Sequence, residues 1–279
     1  MTMPAEGSFL HRAAAAFGKP VCRLGLASHD GSSLTVADVH HALDRGINFL
    51  NWAGSEDTIS RSVAGLGRRR EEVVVCVQFG ARTATEAADE LRSILTALAS
   101  DYVDVLTFYY VETAEEWQEI IGPGGALTYC RDARRAGQVR RLGVTTHQRP
   151  LAAEMAKSGL LDVLMIRYNA AHRGAEQEVF PATAAAGLAI IAYTAQRWGA
   201  LTNPTPDDPP GFAVPTAPAW YRFVLQTAAV SVVLAAPHTR AELDEDLTVL
   251  DTPWPLSDEE FQQLADHGQR VRRHAGRFP

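Results

Sequence analysis

Runs of aliphatic residues recur along the chain, and each is followed by a segment whose apolar positions keep helical spacing. An apolar run over 21–27 leads into a turn signal at Asp30, Gly31, Ser32 and Ser33. Residues 35–43 then place Val36, Val39 and Leu43 on one helix face behind a capping Thr35, with Asp38 three positions on. The alternation continues as strand 49–52 with helix 55–66 closed by Gly67, strand 73–79 with helix 83–98, and strand 102–110 with helix 124–136 stopped by Gly137. It goes on as strand 141–144 with helix 150–158 and strand 163–166 with helix 175–186. A seventh extended run, 188–193, is followed by a Pro-rich loop over 194–218 and a helix near 220–227. The eighth run, 230–234, precedes helix 239–250, and a last helix over 257–273 has no strand after it.

Strands written as near-continuous Val, Ile and Leu are buried on both faces, which is the signature of a parallel sheet covered by helices. Eight strand-then-helix units in 279 residues predict an α/β fold closed as a (β/α)8 TIM barrel, one domain over 1–279 with an N-terminal extension and a C-terminal helix. An open doubly wound sheet would want a glycine-rich phosphate turn after the first strand, and Gly25-Leu26-Ala27-Ser28-His29 lacks it.

Composition narrows the partners. A formal charge of -7 argues against a nucleic-acid backbone or an anionic membrane surface and leaves small molecules as the expected ligands. Ala13-Ala14-Ala15-Ala16-Phe17 is too short and too weakly apolar for a spanning helix and lacks the flanks of a signal core, so a cytoplasmic protein is expected. Cys22, Cys76 and Cys130 have no metal-ligand spacing and read as small apolar residues in a reducing compartment.

In such a barrel, the carboxyl ends of the strands line the functional mouth. The two-residue period puts Phe49 with Asn51, Cys76 with Gln78, and Thr107 with Tyr109. Asn51, Gln78 and Tyr109 are thus expected to converge with Ser28, His29, Thr145, Thr146, His147, Tyr193, Thr194 and His238. Buried amides are costly unless hydrogen-bonded, so Asn51, Gln78 and Tyr109 either satisfy one another as a structural network or hold a ligand. His29, His147 and His238 follow different strands without a supporting carboxylate spacing, and no metal is expected. Asp101 and Asp104 precede or open the fourth strand, at the end of the barrel that serves stability.

Several segments resemble the aldo-keto reductases, NADPH-dependent barrel enzymes that reduce carbonyls to alcohols. Gly46-Ile47-Asn48-Phe49 is similar to the family's GINF, and Asp101-Tyr102-Val103-Asp104-Val105 to its DYIDL. The run Gly137-Gln138-Val139-Arg140-Arg141-Leu142-Gly143-Val144 resembles GKVRYIGVSN, Tyr168-Asn169 the YN after strand six, and Ala192-Tyr193-Thr194 the start of AYSPLG. The resemblance runs from Arg23-Leu24-Gly25-Leu26 to the helix after strand eight. It implies that the family's catalytic Asp, Tyr, Lys and His fall on Asn51, a position about Glu56, Gln78 and Tyr109, all four changed. It further implies that Tyr193 stacks on a nicotinamide with Thr194 beside it, and that Thr145 and Thr146 replace the pair holding its carboxamide, while Met165 stands where a Gln is usual. His238 or Arg240 would meet a ribose phosphate, and Glu245 and Asp246 would meet adenine.

The resemblance implies a divergent NADP(H)-dependent oxidoreductase in which Tyr109 or His29 donates the proton and Asn51 and Gln78 orient the substrate oxygen. Loss of a tuned general acid removes about a hundred- to ten-thousandfold in rate. Two alternatives are a barrel performing cofactor-independent acid–base chemistry with His29, Tyr109, Glu56 or Glu112, and a non-catalytic nucleotide- or metabolite-binding protein. Arg197 and Trp198 at the start of the Pro-rich loop hint at an anionic or aromatic substrate.

Overall fold

A computed structural model describes residues 11–14, 17–252 and 254–274; what the sequence implies for 1–10 and 275–279 lies outside the described residues. Eight parallel strands close the barrel expected from the sequence: β3 (Leu24–Ala27), β4 (Phe49–Trp52), β5 (Val74–Phe79), β6 (Val103–Phe108), β7 (Val139–Thr146), β8 (Val163–Arg167), β9 (Ala189–Tyr193) and β10 (Val230–Ala235). They pair in chain order, and β10 returns to β3.

The apolar run at 21–27 is two strands and not one. An antiparallel hairpin of β1 (His11–Ala14) and β2 (Lys19–Cys22) precedes β3. The break falls at Arg23, whose buried guanidinium donates to the carbonyls of Leu225 (2.9 Å) and Val230 (2.7 Å). Phe17 and Val21 of this hairpin segment join the barrel's interior cluster, with the Phe17 ring edge-on to Phe49 at 5.4 Å. Gly25 makes room for Phe49, since a Cβ there would stand 2.9 Å from the ring.

Around the barrel lie α1 (Val36–Asp44), α2 (Thr58–Ala64), α3 (Ala84–Ala97), α4 (Ala114–Ile121), α5 (Ala126–Arg135), α6 (Arg149–Ala156), α7 (Ala175–Glu178), α8 (Phe180–Ala186), α9 (Ala217–Gln226), α10 (Arg240–Leu247) and α11 (Asp258–His274). Thr35 caps α1 in a capping box with Asp38, as the sequence suggests. The helix expected over 55–66 starts only at Thr58, where Asp57 caps it. The hydrophobic pattern assigned no element to 111–123, yet α4 forms there behind a Thr113–Glu116 capping box and buries Trp117 and Ile120.

The strands sort their side chains by the two-residue period. Phe49, Val74, Cys76, Val105, Val163, Met165, Ile191 and Val232 fill the interior, while alternate residues pack outward against the helices. Cys22, Cys76 and Cys130 are buried and free, and burial pushes their thiols up to about 12. Where β5 and β6 begin, Asp104 accepts from Arg70 (2.8 Å), Arg140 (2.9 Å) and the Val75 amide (3.0 Å), a structural clamp at the end remote from the mouth. Among the described residues no helix is long and apolar enough to cross a membrane.

Candidate active site

Above the apolar interior, the next inward positions are polar. Asn51 at the end of β4 and Gln78 on β5 are both buried, and Gln78 Nε2 donates to Asn51 Oδ1 at 3.1 Å. The same nitrogen lies 3.2 Å from Met165 Sδ, and Gln78 Oε1 accepts from Thr145 Oγ1 at 3.1 Å. Gln78 is thereby satisfied on both sides, whereas the Asn51 Nδ2 group makes no hydrogen bond among the described residues and borders a cavity. One side-chain donor is left for a ligand at the barrel axis.

That cavity has a volume of about 660 Å³, a size that suits a small-molecule site. It takes in Asn51, Gln78, Tyr109, His29, Thr145, Tyr193, Thr194, His238, Glu245 and Asp246 from the sequence expectation. Thr146, His147 and Arg240 are not among its lining residues. Thr146 follows Thr145 on β7, so the pleat turns its side chain to the other face, where its hydroxyl accepts from the Gln148 amide at 3.0 Å. Arg240 is held by Asp38 and Asp244, each at 3.0 Å. Glu56 is an exposed partner of Arg61, and Glu112 accepts from the His147 amide (2.8 Å) and faces His147 Nδ1 at 3.1 Å.

Tyr193 puts its ring in the cavity wall and commits its hydroxyl to the Thr146 carbonyl at 3.0 Å. Burial raises that hydroxyl's pKa far above the ordinary tyrosine range. Tyr109 lies just beyond β6 and stacks on Tyr110 with centroids 3.9 Å apart. Its hydroxyl is also raised above the usual range, by desolvation first and then by Tyr110. The only large hydrophobic side chains exposed among the described residues are Tyr109 (40%), Tyr110 (36%) and Trp198 (64%), and all three line this cavity. Tyr110 (φ +44°), Thr194 (+56°) and Trp198 (+50°) hold left-handed backbone conformations, as does Arg197 (+52°) beside them. Such angles are uncommon for non-glycine residues, and four of the five in the described residues fall at or beside this cavity, the fifth being Ala99 in the turn before β6.

Toward α10 the wall becomes acidic, with Glu242, Glu245 and Asp246. Asp246 accepts from the Tyr221 hydroxyl at 3.3 Å, and burial pushes its carboxyl up to about 7. His29 and His238 meet edge to face at 4.0 Å on the rim, while the Ser28 hydroxyl donates to the Asp57 cap of α2. Among the described residues no group of three or more His, Cys, Asp or Glu side chains is placed to hold a metal ion.

Gln196, Tyr221 and Glu242 line the cavity without having been singled out from the sequence, whereas the 214–217 segment belongs to the Pro-rich stretch that reads from the sequence as a long active-face loop. Glu242 was legible only as a helix cap: it follows Thr239 by three residues, and it accepts from the His238 amide at 2.7 Å.

A model of the aldo/keto reductase family matches residues 31–214. The 2,5-diketo-D-gluconic acid reductase B of a Corynebacterium species is 26% identical over 149 residues, 48% of this chain and 49% of that protein, so the chain spans about half the length of the relative it matches. Among solved structures, the aldo-keto reductase AKR11C1 of Bacillus halodurans in its holo form superposes with a TM-score of 0.74 at 18% identity, covering 92% of this chain and 95% of that one. The glycerol dehydrogenase AKR11B4 of Gluconobacter oxydans gives 0.70 at 17% identity over 95% and 97% of the two chains. At such identities the structural likeness speaks for the barrel alone, and it is the family model, matched over most of the chain, that makes this protein a member of the aldo/keto reductase family.

Proposed function

We propose that the chain is an aldo/keto-reductase-type oxidoreductase that takes a nicotinamide dinucleotide, the family's NADP(H) being the starting expectation, and acts on a small carbonyl or alcohol. The observation that carries this reading is the single cavity joining the amide network at the barrel axis, the Tyr193 ring and the carboxylates of α10. Its chemistry fits such a group: an aromatic face for a planar ring, a spare amide donor on Asn51, and carboxylate acceptors for hydroxyl and amino groups. When bound, the dinucleotide supplies or accepts hydride.

The chain's own residues would position the reactants. Tyr193, pinned through its hydroxyl, offers its ring in a fixed orientation. Gln78 and Thr145 hold the Asn51 amide, which leaves Nδ2 to orient a substrate oxygen. Tyr109 is the proposed proton donor, with His29 as the rim alternative. A phenol raised above its ordinary range is a poor match to neutral pH, so turnover should be slow. The exposed Tyr109, Tyr110 and Trp198 favour a substrate carrying a planar aromatic group. A second reading, binding without turnover, has in its favour the uncharged amide network, which places Asn51 and Gln78 and, among the described residues, no charged side chain at the barrel axis.

Titration with reduced dinucleotide, followed by dihydronicotinamide fluorescence and then by addition of an aromatic aldehyde, tests these readings. Saturable binding with slow aldehyde-dependent oxidation is the expected result. Tyr109→Phe should lower that rate by about a hundredfold or more with unchanged dinucleotide affinity; an unchanged rate removes Tyr109 as the donor. Binding without oxidation supports the second reading, and no binding leaves cofactor-independent acid–base chemistry.

A further inference from the structure

We infer that the cavity selects against a 2′-phosphate, so that the dinucleotide taken is NAD(H), with Glu242 and Glu245 as the selecting side chains. The inference rests on the oxidoreductase reading above and changes its cofactor.

None of the residues lining the cavity is Lys or Arg, while three, Glu242, Glu245 and Asp246, carry carboxyl groups. A dinucleotide's pyrophosphate needs no cationic side chain, because main-chain N–H groups can hold it. A terminal 2′-phosphate is different: it adds negative charge that a cation would stabilise and that carboxylates repel, whereas a free 2′-hydroxyl can donate a hydrogen bond to a carboxylate. Here the acidic acceptors are present.

Arg240 is the cation of this segment, at the first position of α10. Its guanidinium bonds Asp38 Oδ1 and both carboxylate oxygens of Asp244, each at 3.0 Å. Arg240 lies outside the cavity lining, and turning it inward would break these ion pairs, a modest cost because the side chain is 45% exposed. His238 packs edge-on against His29 at 4.0 Å, and its main-chain N–H is already given to Glu242 at 2.7 Å. The carboxylate that closes the helix start therefore stands where a phosphate-binding site would offer N–H donors.

Equilibrium titration of the full chain with NADH and with NADPH, read by dihydronicotinamide fluorescence, tests this. NADH should bind at least about tenfold more tightly. NADPH affinity should rise as salt is added, because screening relieves repulsion between like charges. Glu242→Gln combined with Glu245→Gln should narrow the preference chiefly by strengthening NADPH binding; should that variant fail to fold, the salt series on the native chain still decides. Equal or tighter binding of NADPH, or an NADPH affinity that falls with salt, overturns the inference and leaves the oxidoreductase reading standing. Failure of both dinucleotides to bind overturns that reading and the inference with it.

Discussion

Asp246 is a carboxyl that the fold keeps away from water, 3% exposed between α9 and α10. Burial raises its pKa from 3.8 to about 7, and the Tyr221 hydroxyl only partly offsets this. Between those two values the folded chain holds a proton that the unfolded chain has released. Stability therefore rises as pH falls from about 7 toward 4, and above 7 the fold carries the cost of a buried carboxylate. Asp246→Asn keeps the shape and the acceptor for Tyr221 but never ionises. It is expected to raise the melting temperature at pH 8, by at most roughly 4 kcal/mol of stability, with the gain shrinking to less than half of that at pH 5 and vanishing only below about pH 4. Melting curves of both proteins from pH 5 to 8 check this, and a gap that does not change with pH would mean that Asp246 is not the titrating group. The sequence reveals an acidic residue in the helix after the eighth strand. It does not reveal the burial, which depends on Tyr221 arriving from a different helix.

At the scale of elements, legibility followed periodicity. The barrel strands were readable because Val73-Val74-Val75-Cys76-Val77 and Val230-Ser231-Val232-Val233-Leu234 are buried on both faces and so need no alternation. The β1–β2 hairpin was not, since a short antiparallel pair running directly into a parallel strand leaves one continuous apolar run in the sequence. The segment after β9 was readable as a loop from its prolines, but nothing in its composition marks Thr194, Arg197 and Trp198 as left-handed. Those backbone angles help to set an exposed indole at the cavity mouth. Trp198→Ala is expected to weaken binding of an aromatic substrate by roughly three- to tenfold, the worth of one ring contact. Thermal stability should change little, because 64% of Trp198 is already exposed. Steady-state KM for an aromatic against an aliphatic aldehyde reads the effect; an equal rise for both would place Trp198 outside substrate recognition.

Taken as a whole, the barrel keeps charge out of the layer beneath its mouth, and the cavity's carboxyl groups are confined to the α10 wall. The polar layer under the mouth is neutral, with Asn51, Gln78, Thr107 and Thr145, whereas an ionic cluster around the buried Asp104, with Arg70, Arg140 and Lys19, lies at the opposite end. The sequence order Asp101-Tyr102-Val103-Asp104 already put these acids before or at the start of a strand, and so on the end that serves stability. Only the structure shows that Asp104 draws cations from three separate elements, β2, the turn before β5, and β7. Arg140 also stacks its guanidinium 3.7 Å from the centre of the Tyr102 ring. Because Arg70 is buried beside it, removing the charge of Asp104 strands a cation in a dry site, at a cost of about 3–5 kcal/mol. Asp104→Asn should therefore lower the urea midpoint with an unchanged m-value. Under native conditions it should leave the dinucleotide dissociation constant as it was, since no residue of this cluster lines the cavity. A variant that loses dinucleotide affinity while still fully folded would show that the two ends of the barrel are coupled, contrary to the separation argued from their contacts.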